Sequence, residues 1–430
     1  MTSFADLGLP RPIVNVLAKQ GITEPFPIQE EAIPDAMAGR DVLGRGPTGS
    51  GKTFTFGLPM LARLAGAPSK PGHPRGLILA PTRELATQIR DRLDDPAAAL
   101  GLRLLDVVGG VNINNHLRSL AAPVDVLVAT PGRAEDLINQ RKLFFDHIEI
   151  TALDEADQMA DMGFLPQVRK LLDRTPKGGQ RLLFSATLDG DVEKLIARYM
   201  TNPVTHSTAP VQAAVDTMEH YRLLVGDRDE RGDVVLRIGA REGKTIMFMR
   251  TKHGVDRQVK KLRRAGINAQ GLHGDKGQGA RTRALEGFGD GSAPVLVATD
   301  IAARGIDVDD VSLVVHVDPP AEHKAYLHRA GRTARAGSSG TVVTLVLDEQ
   351  EKEVQQLMNK AGVSATPVRV TAESAELAKI TGARTPSGTP LPPPGQPQQT
   401  KRATTVRNGK PSNPAGRSSR RRPRRSSGRS

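Results

Sequence analysis

The sequence predicts an α/β protein with two parallel-sheet domains in tandem, followed by a basic tail without stable structure. Three observations carry this expectation. Short apolar runs alternate with longer amphipathic segments, polar clusters close those runs in both halves, and the excess positive charge sits at one end. Such alternation is the rhythm of parallel sheets whose crossovers are helices.

In chain order, the first set of runs is DVLG (41–44), GLILA (76–80), VDVLVA (124–129), IEITAL (148–153) and RLLFSA (181–186). The second is TIMFM (245–249), PVLVA (294–298), SLVVHV (312–317) and GTVVTLVL (340–347). Between them the uncharged stretch 201–215 reads as a linker between two similar lobes, with the linker proper set at 209–216. Open parallel sheets bind ligands beyond the carboxyl ends of their strands, so each half is expected to present a functional edge there.

The tail is the third element. From Thr381 to Ser430 there are 12 Lys and Arg and no acidic residue, whereas the whole chain has a net charge of +13. The body is therefore nearly neutral. Rich in Pro, Ser, Gly and Arg and free of aromatics, the tail cannot bury enough apolar area to offset its ordering entropy. It reads as an arm for nucleic-acid phosphates, with a solvated solubility tail as the alternative. Absence of Cys excludes disulfides and thiolate metal sites. The opening MTSFADLGLP lacks a secretory pattern, and no apolar run is long enough for a membrane span. A cytoplasmic protein is expected, without membrane association.

The first run ends at Gly46-Pro47-Thr48-Gly49-Ser50-Gly51-Lys52-Thr53, which fits G-x-x-x-x-G-K-[ST] between a strand and a helix. Glycines there turn backbone amides toward phosphates at a helix N-terminus. Lys52 is suited to the β- and γ-phosphates and Thr53 to Mg²⁺. Pro47 brings no N–H to this loop. Asp154 and Glu155 close IEITAL; Asp154 is suited to hold Mg²⁺, and Glu155 to deprotonate an attacking water. ATP hydrolysis is the leading reaction.

Together these motifs resemble the DEAD-box RNA helicases, whose name-giving letters stand at Asp154-Glu155-Ala156-Asp157. The resemblance runs from Phe4 to about Val370 and implies two RecA-like domains: an adenine-recognition segment at 1–30, a first domain at 31–208, a linker at 209–216, a second domain at 217–372 and the tail at 381–430. It implies that Gln29 reads adenine. Phe4 either stacks on the base or packs on the lobe. Thr48, Gly49, Ser50, Gly51, Lys52, Thr53 and Asp307 would hold the nucleotide, and Thr53 and Asp154 the metal.

The resemblance also implies RNA-backbone contacts from Pro81, Thr82, Arg83, Gly109, Gly110, Thr130, Pro131, Gly132 and Arg133 in the first half. In the second they come from Thr251, Lys252, Gln278, Arg281, Thr299, Asp300 and Arg304. Ser185 and Thr187 would couple hydrolysis to unwinding, while Arg332, Arg335 and His328 would complete the ATP site across a cleft. The implied activity is an ATP- and Mg²⁺-dependent RNA helicase gripping RNA without sequence preference. Proteins of ribosome assembly or RNA decay are candidate partners. A DNA-directed helicase and an ATP-gated RNA clamp are the competing readings. Arg45 and Pro47 depart from the residues usual at the start of this family's phosphate loop.

Overall fold

The structure is a computed structural model, and it describes residues 2–46, 50–188, 190–207, 218–303, 308, 310–334 and 340–393. The first domain holds seven parallel strands: β1 (Val42–Arg45), β2 (Gly76–Leu79), β3 (Leu104–Val107), β4 (Val126–Ala129), β5 (Ile150–Leu153), β6 (Gln180–Ser185) and β7 (Val204–Ser207). They lie in the order β3-β4-β2-β5-β6-β1-β7. The second holds β8 (Met218–Val225), β9 (Lys244–Phe248), β10 (Ala269–Leu272), β11 (Val295–Ala298), β12 (Val311–His316), β13 (Gly340–Leu347) and β14 (Thr366–Arg369). Their order is β10-β11-β9-β12-β13-β8-β14. The chain thus forms two tandem RecA-like domains, as expected.

Helices cover both faces of each sheet, which is why the central strands are continuously apolar. Side chains alternate across the pleat. Ile78, Val128 and Leu182 therefore join one core with Phe56, Leu58 and Leu93, while Leu77, Leu127 and Leu183 join the opposite core with Leu137 and Val168. In the second domain, Met247, Val297 and Val315 face one core and Ile246, Leu296 and Val314 the other. Among the described residues no helix is long and apolar enough to cross a membrane.

β7, inside the first domain as bounded at 208, pairs in parallel with β1 from Val42↔Val204 to Arg45↔Ser207. One expectation needs correction: the boundary set for a structureless tail at 381 comes too early. A helix spans Ala375–Thr381, and the residues after it remain hydrogen-bonded to the second domain. Gly388 N donates to Ala265 O at 3.0 Å, and Leu391 N to Arg263 O at 2.8 Å. Arg263 Nε returns a bond to Pro392 O at 2.6 Å. This strap has few apolar residues, but backbone pairing to the C-terminal end of the helix Lys252–Arg264 anchors it. The remaining tail, 394–430, and the linker residues 208–217 lie outside the described residues.

Candidate functional site

The charged cluster of the first domain forms where β1, β5 and β6 end. Gly51 caps the helix Lys52–Leu64 in a left-handed conformation, φ 90°. A Cβ there would lie 2.6 Å from Gln29 Nε2 and 2.8 Å from Phe26 Cδ2, so glycine is needed for conformation and for space. Gln29 is buried, donates to Gly51 O at 2.9 Å and accepts from Phe26 N at 2.9 Å. The segment expected to recognise adenine is thereby tied to the glycine-rich loop.

Lys52 is buried and donates from Nζ to Gly46 O at 3.0 Å and to Glu155 Oε1 at 3.1 Å. Burial works against its charge, but Glu155, Asp154 and Asp157 outweigh this and raise its pKa. For Asp154, burial is the larger influence and exceeds the pull of Lys52, so its pKa rises. Burial also opposes the charge of Glu155, yet Lys52, assisted by His328 and Arg332, drives its pKa down. Glu155 thus holds the negative charge that Lys52 neutralises. Glu155 itself stands at φ 53°, ψ 53°, a left-handed conformation unusual for a side chain of this size.

Beside this pair, Asp157 joins two strand ends. Its N–H donates to Ser185 Oγ at 3.1 Å, and its Oδ2 accepts from Thr187 N at 3.0 Å and Thr187 Oγ1 at 3.2 Å. The donor set suits a triphosphate. Among the described residues Ser50 Oγ in the loop is buried without a hydrogen-bond partner, and Lys52 lies beside the helix N-terminus with two carboxylates behind it.

A separate cleft of 520 Å³ lies between the domains. Pro81, Thr82, Arg83, Gly109, Gly110, Thr130, Pro131, Gly132 and Arg133 line one side, with Arg281 and Ile301 among the residues opposite. The cleft is already spanned. Arg281 Nε donates to Glu84 Oε1 at 2.6 Å with both residues buried, and Arg83 Nη1 reaches Gln278 Oε1 at 3.5 Å. Gly110, at φ 73°, makes room for Arg83, whose Nη1 would be 1.9 Å from an added Cβ. Arg133 donates to Val111 O at 3.1 Å and His116 Nδ1 at 2.8 Å; burial, then the Arg133 charge, holds His116 below its ordinary pKa and ready to accept.

In the second domain, Thr251 caps the helix Lys252–Arg264, accepting from Gly254 N at 3.0 Å, and Lys252 pairs with Asp275 at 2.7 Å. Asp300 is held by Arg329, whose Nη2 donates to Oδ2 at 2.8 Å and whose Nη1 donates to Asp318 O at 2.8 Å. The same guanidinium lies 5.0 Å over the Phe248 ring. Arg332 is buried and donates from Nε to His328 O at 3.2 Å. Thr299 N donates to Leu272 O at 3.2 Å, which fixes the end of β11.

Two sequence models match in succession, DEAD/DEAH box helicase over residues 26–195 and helicase conserved C-terminal domain over 230–337. The DEAD-box ATP-dependent RNA helicase CshA of Bacillus cereus is 36% identical over 359 residues, covering 83% of this chain and 68% of that protein. The chain belongs to the DEAD-box RNA helicase family. A second relative, the chloroplastic DEAD-box ATP-dependent RNA helicase 3B of Zea mays, is 40% identical over 369 residues, covering 84% of this chain. The chain spans about half of that relative's length, 49%. Among solved structures, S. cerevisiae Dbp5 bound to RNA and ADP BeF3 superposes with a TM-score of 0.79 at 28% identity, covering 89% of this chain and 99% of that one.

Within this DEAD-box chain, the expected residues converge on two places. Gln29, Ser50, Gly51, Lys52, Thr53, Asp154 and Glu155 surround the phosphate loop, and His328 and Arg332 reach Glu155 electrostatically from the other domain. Thr48, Gly49, Arg304, Asp307 and Arg335, with Pro47, lie outside the described residues. Of the two roles open to Phe4, packing is the one displayed: it is 2% exposed in a core with Leu7, Leu9 and Ile13. Asp300 is paired with Arg329. Phe26, Glu84 and Arg329 lie inside the expected adenine, RNA-backbone and arginine-rich motifs but carry no individual role there. Phe26, a 46% exposed ring beside Gly51, carried a signal in its place two residues before Ile28-Gln29. Glu84 and Arg329 are recognisable only through their partners.

Proposed function

We propose that this protein is an RNA-stimulated ATPase that couples ATP binding and hydrolysis to local RNA duplex unwinding or RNA–protein remodelling, through closure of its two domains. The observation that carries this reading is the Lys52–Glu155 pair of the first domain lying within electrostatic reach of His328 and Arg332 of the second. The relative Dbp5, bound to RNA and ADP BeF3, supports the same ligand pair.

In this reading the triphosphate competes for Lys52. Its oxygens replace Glu155 as the partner of the ammonium group, with the loop amides and Ser50 Oγ completing the cradle. Glu155, released from Lys52, accepts a proton from the water that attacks the γ-phosphorus. Arg332, with Arg335, stabilises charge on the transferring phosphoryl group. Thr53 and Asp154 would hold Mg²⁺, which neutralises phosphate charge when bound. Phe26, rather than Phe4, offers its ring to the base, and Gln29 positions that segment against the loop.

RNA occupies the cleft lined by Thr82, Arg83, Gly109, Gly110, Thr130 and Arg133. Hydroxyls, amides and guanidinium groups grip phosphate and sugar without reading sequence. Entry requires Arg281 and Arg83 to exchange Glu84 and Gln278 for phosphate. Through Ser185, Asp157 and Thr187 the cleft's movements reach Glu155, which makes hydrolysis depend on RNA. An ATPase assay with matched RNA and DNA strands tests this directly: RNA should stimulate turnover, and stimulation by DNA alone would refute it.

A further inference from the structure

Two segments meet at the amino ends of the first domain's strands, on the edge opposite the ATP cluster. One, Lys70-Pro71-Gly72-His73, precedes β2; the other, Phe144-Phe145-Asp146-His147, precedes β5. Their backbones are tied together. Phe144 N donates to Gly72 O at 2.9 Å, Glu149 N to Arg75 O at 2.7 Å, and His73 N to Lys70 O at 3.0 Å. Gly72 sits at φ 74°, where an added Cβ would lie 3.0 Å from Lys142 O, so glycine permits the close approach.

The side chains are equally constrained. The His73 ring stacks on Phe144 at 4.7 Å and 12°, and meets His147 edge-on at 5.1 Å. His73 Nδ1 lies 2.8 Å from Asp146 Oδ1, and His147 Nε2 lies 3.8 Å from Asp146 Oδ2. One donor atom from each residue falls within 4.8 Å of the others. Zinc bonds near 2.1 Å set donor atoms about 3.4 Å apart in a tetrahedral site. Shifts of about an ångström would thus close these three onto one ion.

We propose that His73, Asp146 and His147 form a site for a transition-metal dication of the Zn²⁺ class, independent of the Mg²⁺ that serves ATP. Two imidazoles and one carboxylate favour zinc, nickel or copper over magnesium, which prefers oxygen ligands. Three protein ligands leave a fourth position open, and Asp146 and His147 border a 990 Å³ cleft through which solvent or an anion reaches it. The ion would cross-link the loops before β2 and β5.

The test uses full-length, tag-free protein in excess Mg²⁺, titrated with Zn²⁺ against a chromogenic chelator. One Zn²⁺ should bind per chain. His73→Ala, Asp146→Asn and His147→Ala should each weaken binding about tenfold or more. Added Zn²⁺ should raise the melting temperature of the natural protein but not of the His73→Ala/His147→Ala double variant. Circular dichroism and RNA-stimulated turnover of the variants report an intact fold, because these side chains lie far from the ATP cluster. Failure to bind Zn²⁺, or equal affinity in natural protein and double variant, overturns the site. In either case the three residues form only a hydrogen-bonded surface cluster.

Discussion

The two domains share one strand order, the second repeating the first with every strand number raised by seven, yet their strand ends do different work. In the first, opposite charges are buried together: Lys52 on Glu155, beside Asp154 and Asp157. Among the described residues at this edge, Gly51, Gly110 and Glu155 have left-handed backbones. For Glu155 that conformation costs on the order of 1–3 kcal/mol and persists because the surrounding structure holds it. In the second domain the prominent groups are arginines held by oxygen atoms, Arg329 by Asp300 and Asp318 O, Arg332 by His328 O. Duplicated topology has therefore been divided chemically. One edge buries a lysine among carboxylates and the other fixes arginines on oxygen atoms; under the proposed function the first supplies the acid–base and phosphate-binding groups, the second the cations, and neither is complete alone.

Breaking the comparison on the second side should have the largest effect. Arg332→Ala leaves the Lys52 cradle intact and removes the cation proposed to act in the transition state. RNA-stimulated kcat should fall about 10³-fold or more, with kcat/KM falling in parallel. The fragment 1–207 should be equally inactive in a steady-state ATPase assay. Activity within tenfold of the full chain, in either protein, would show that the first domain suffices.

Glu155→Gln acts on the other side and should lower kcat by about 10²–10⁴-fold. ATP affinity should be preserved, because Lys52 loses a competing carboxylate and gains freedom to meet phosphate. Equilibrium binding of a fluorescent ATP analogue separates the two effects. Lost affinity would mean that Glu155 shapes the pocket instead of acting on water.

How much of this was legible depended on burial. The nine apolar runs all became strands, and most sit centrally, covered on both faces. Five strands were missed, and four of them are the sheet edges: β3, β7, β10 and β14. Their sequences, LLDV, VTHS, AQGL and TPVR, are half polar because an edge is only partly covered. The fifth, β8, is MEHYRLLV, with exposed Glu219 interrupting its apolar pattern. For the site, contiguous motifs around Lys52 and Asp154 could be read directly. Partners joined across the domains could not: Glu84 and Arg281 are far apart in sequence, and neither residue type announces the other.

A third, smaller change sharpens the role of the first edge. Gly51→Ala sets a Cβ against Gln29 Nε2 and Phe26 and strains a φ of 90°. The expected cost is on the order of 1–3 kcal/mol. It should appear as weaker ATP binding and a lower melting temperature of the first domain. Unchanged ATP affinity would mean that the junction between Gln29 and the loop does not set the nucleotide pocket.

The smallest effect on catalysis is expected at the far end of the second domain, and two truncations distinguish the strap from the tail. Ending the chain after Pro393 removes 11 Lys and Arg but none of the strap's bonds to Arg237, Arg241 and Arg263. Melting temperature and basal ATPase should be unchanged, while RNA affinity weakens and its salt dependence flattens, since each phosphate neutralised adds about 0.7 to the slope for a single strand. Ending it after Ile380 also removes the bonds that Gly388 and Leu391 donate to Ala265 and Arg263. It leaves Arg263 Nε, now bonded to Pro392 O, to find water. That chain should melt a few degrees lower as well, roughly 2–4 °C per kcal/mol lost. If both truncations melt alike, the strap is only the start of the tail; if neither changes the salt slope, the arginines beyond it do not hold RNA.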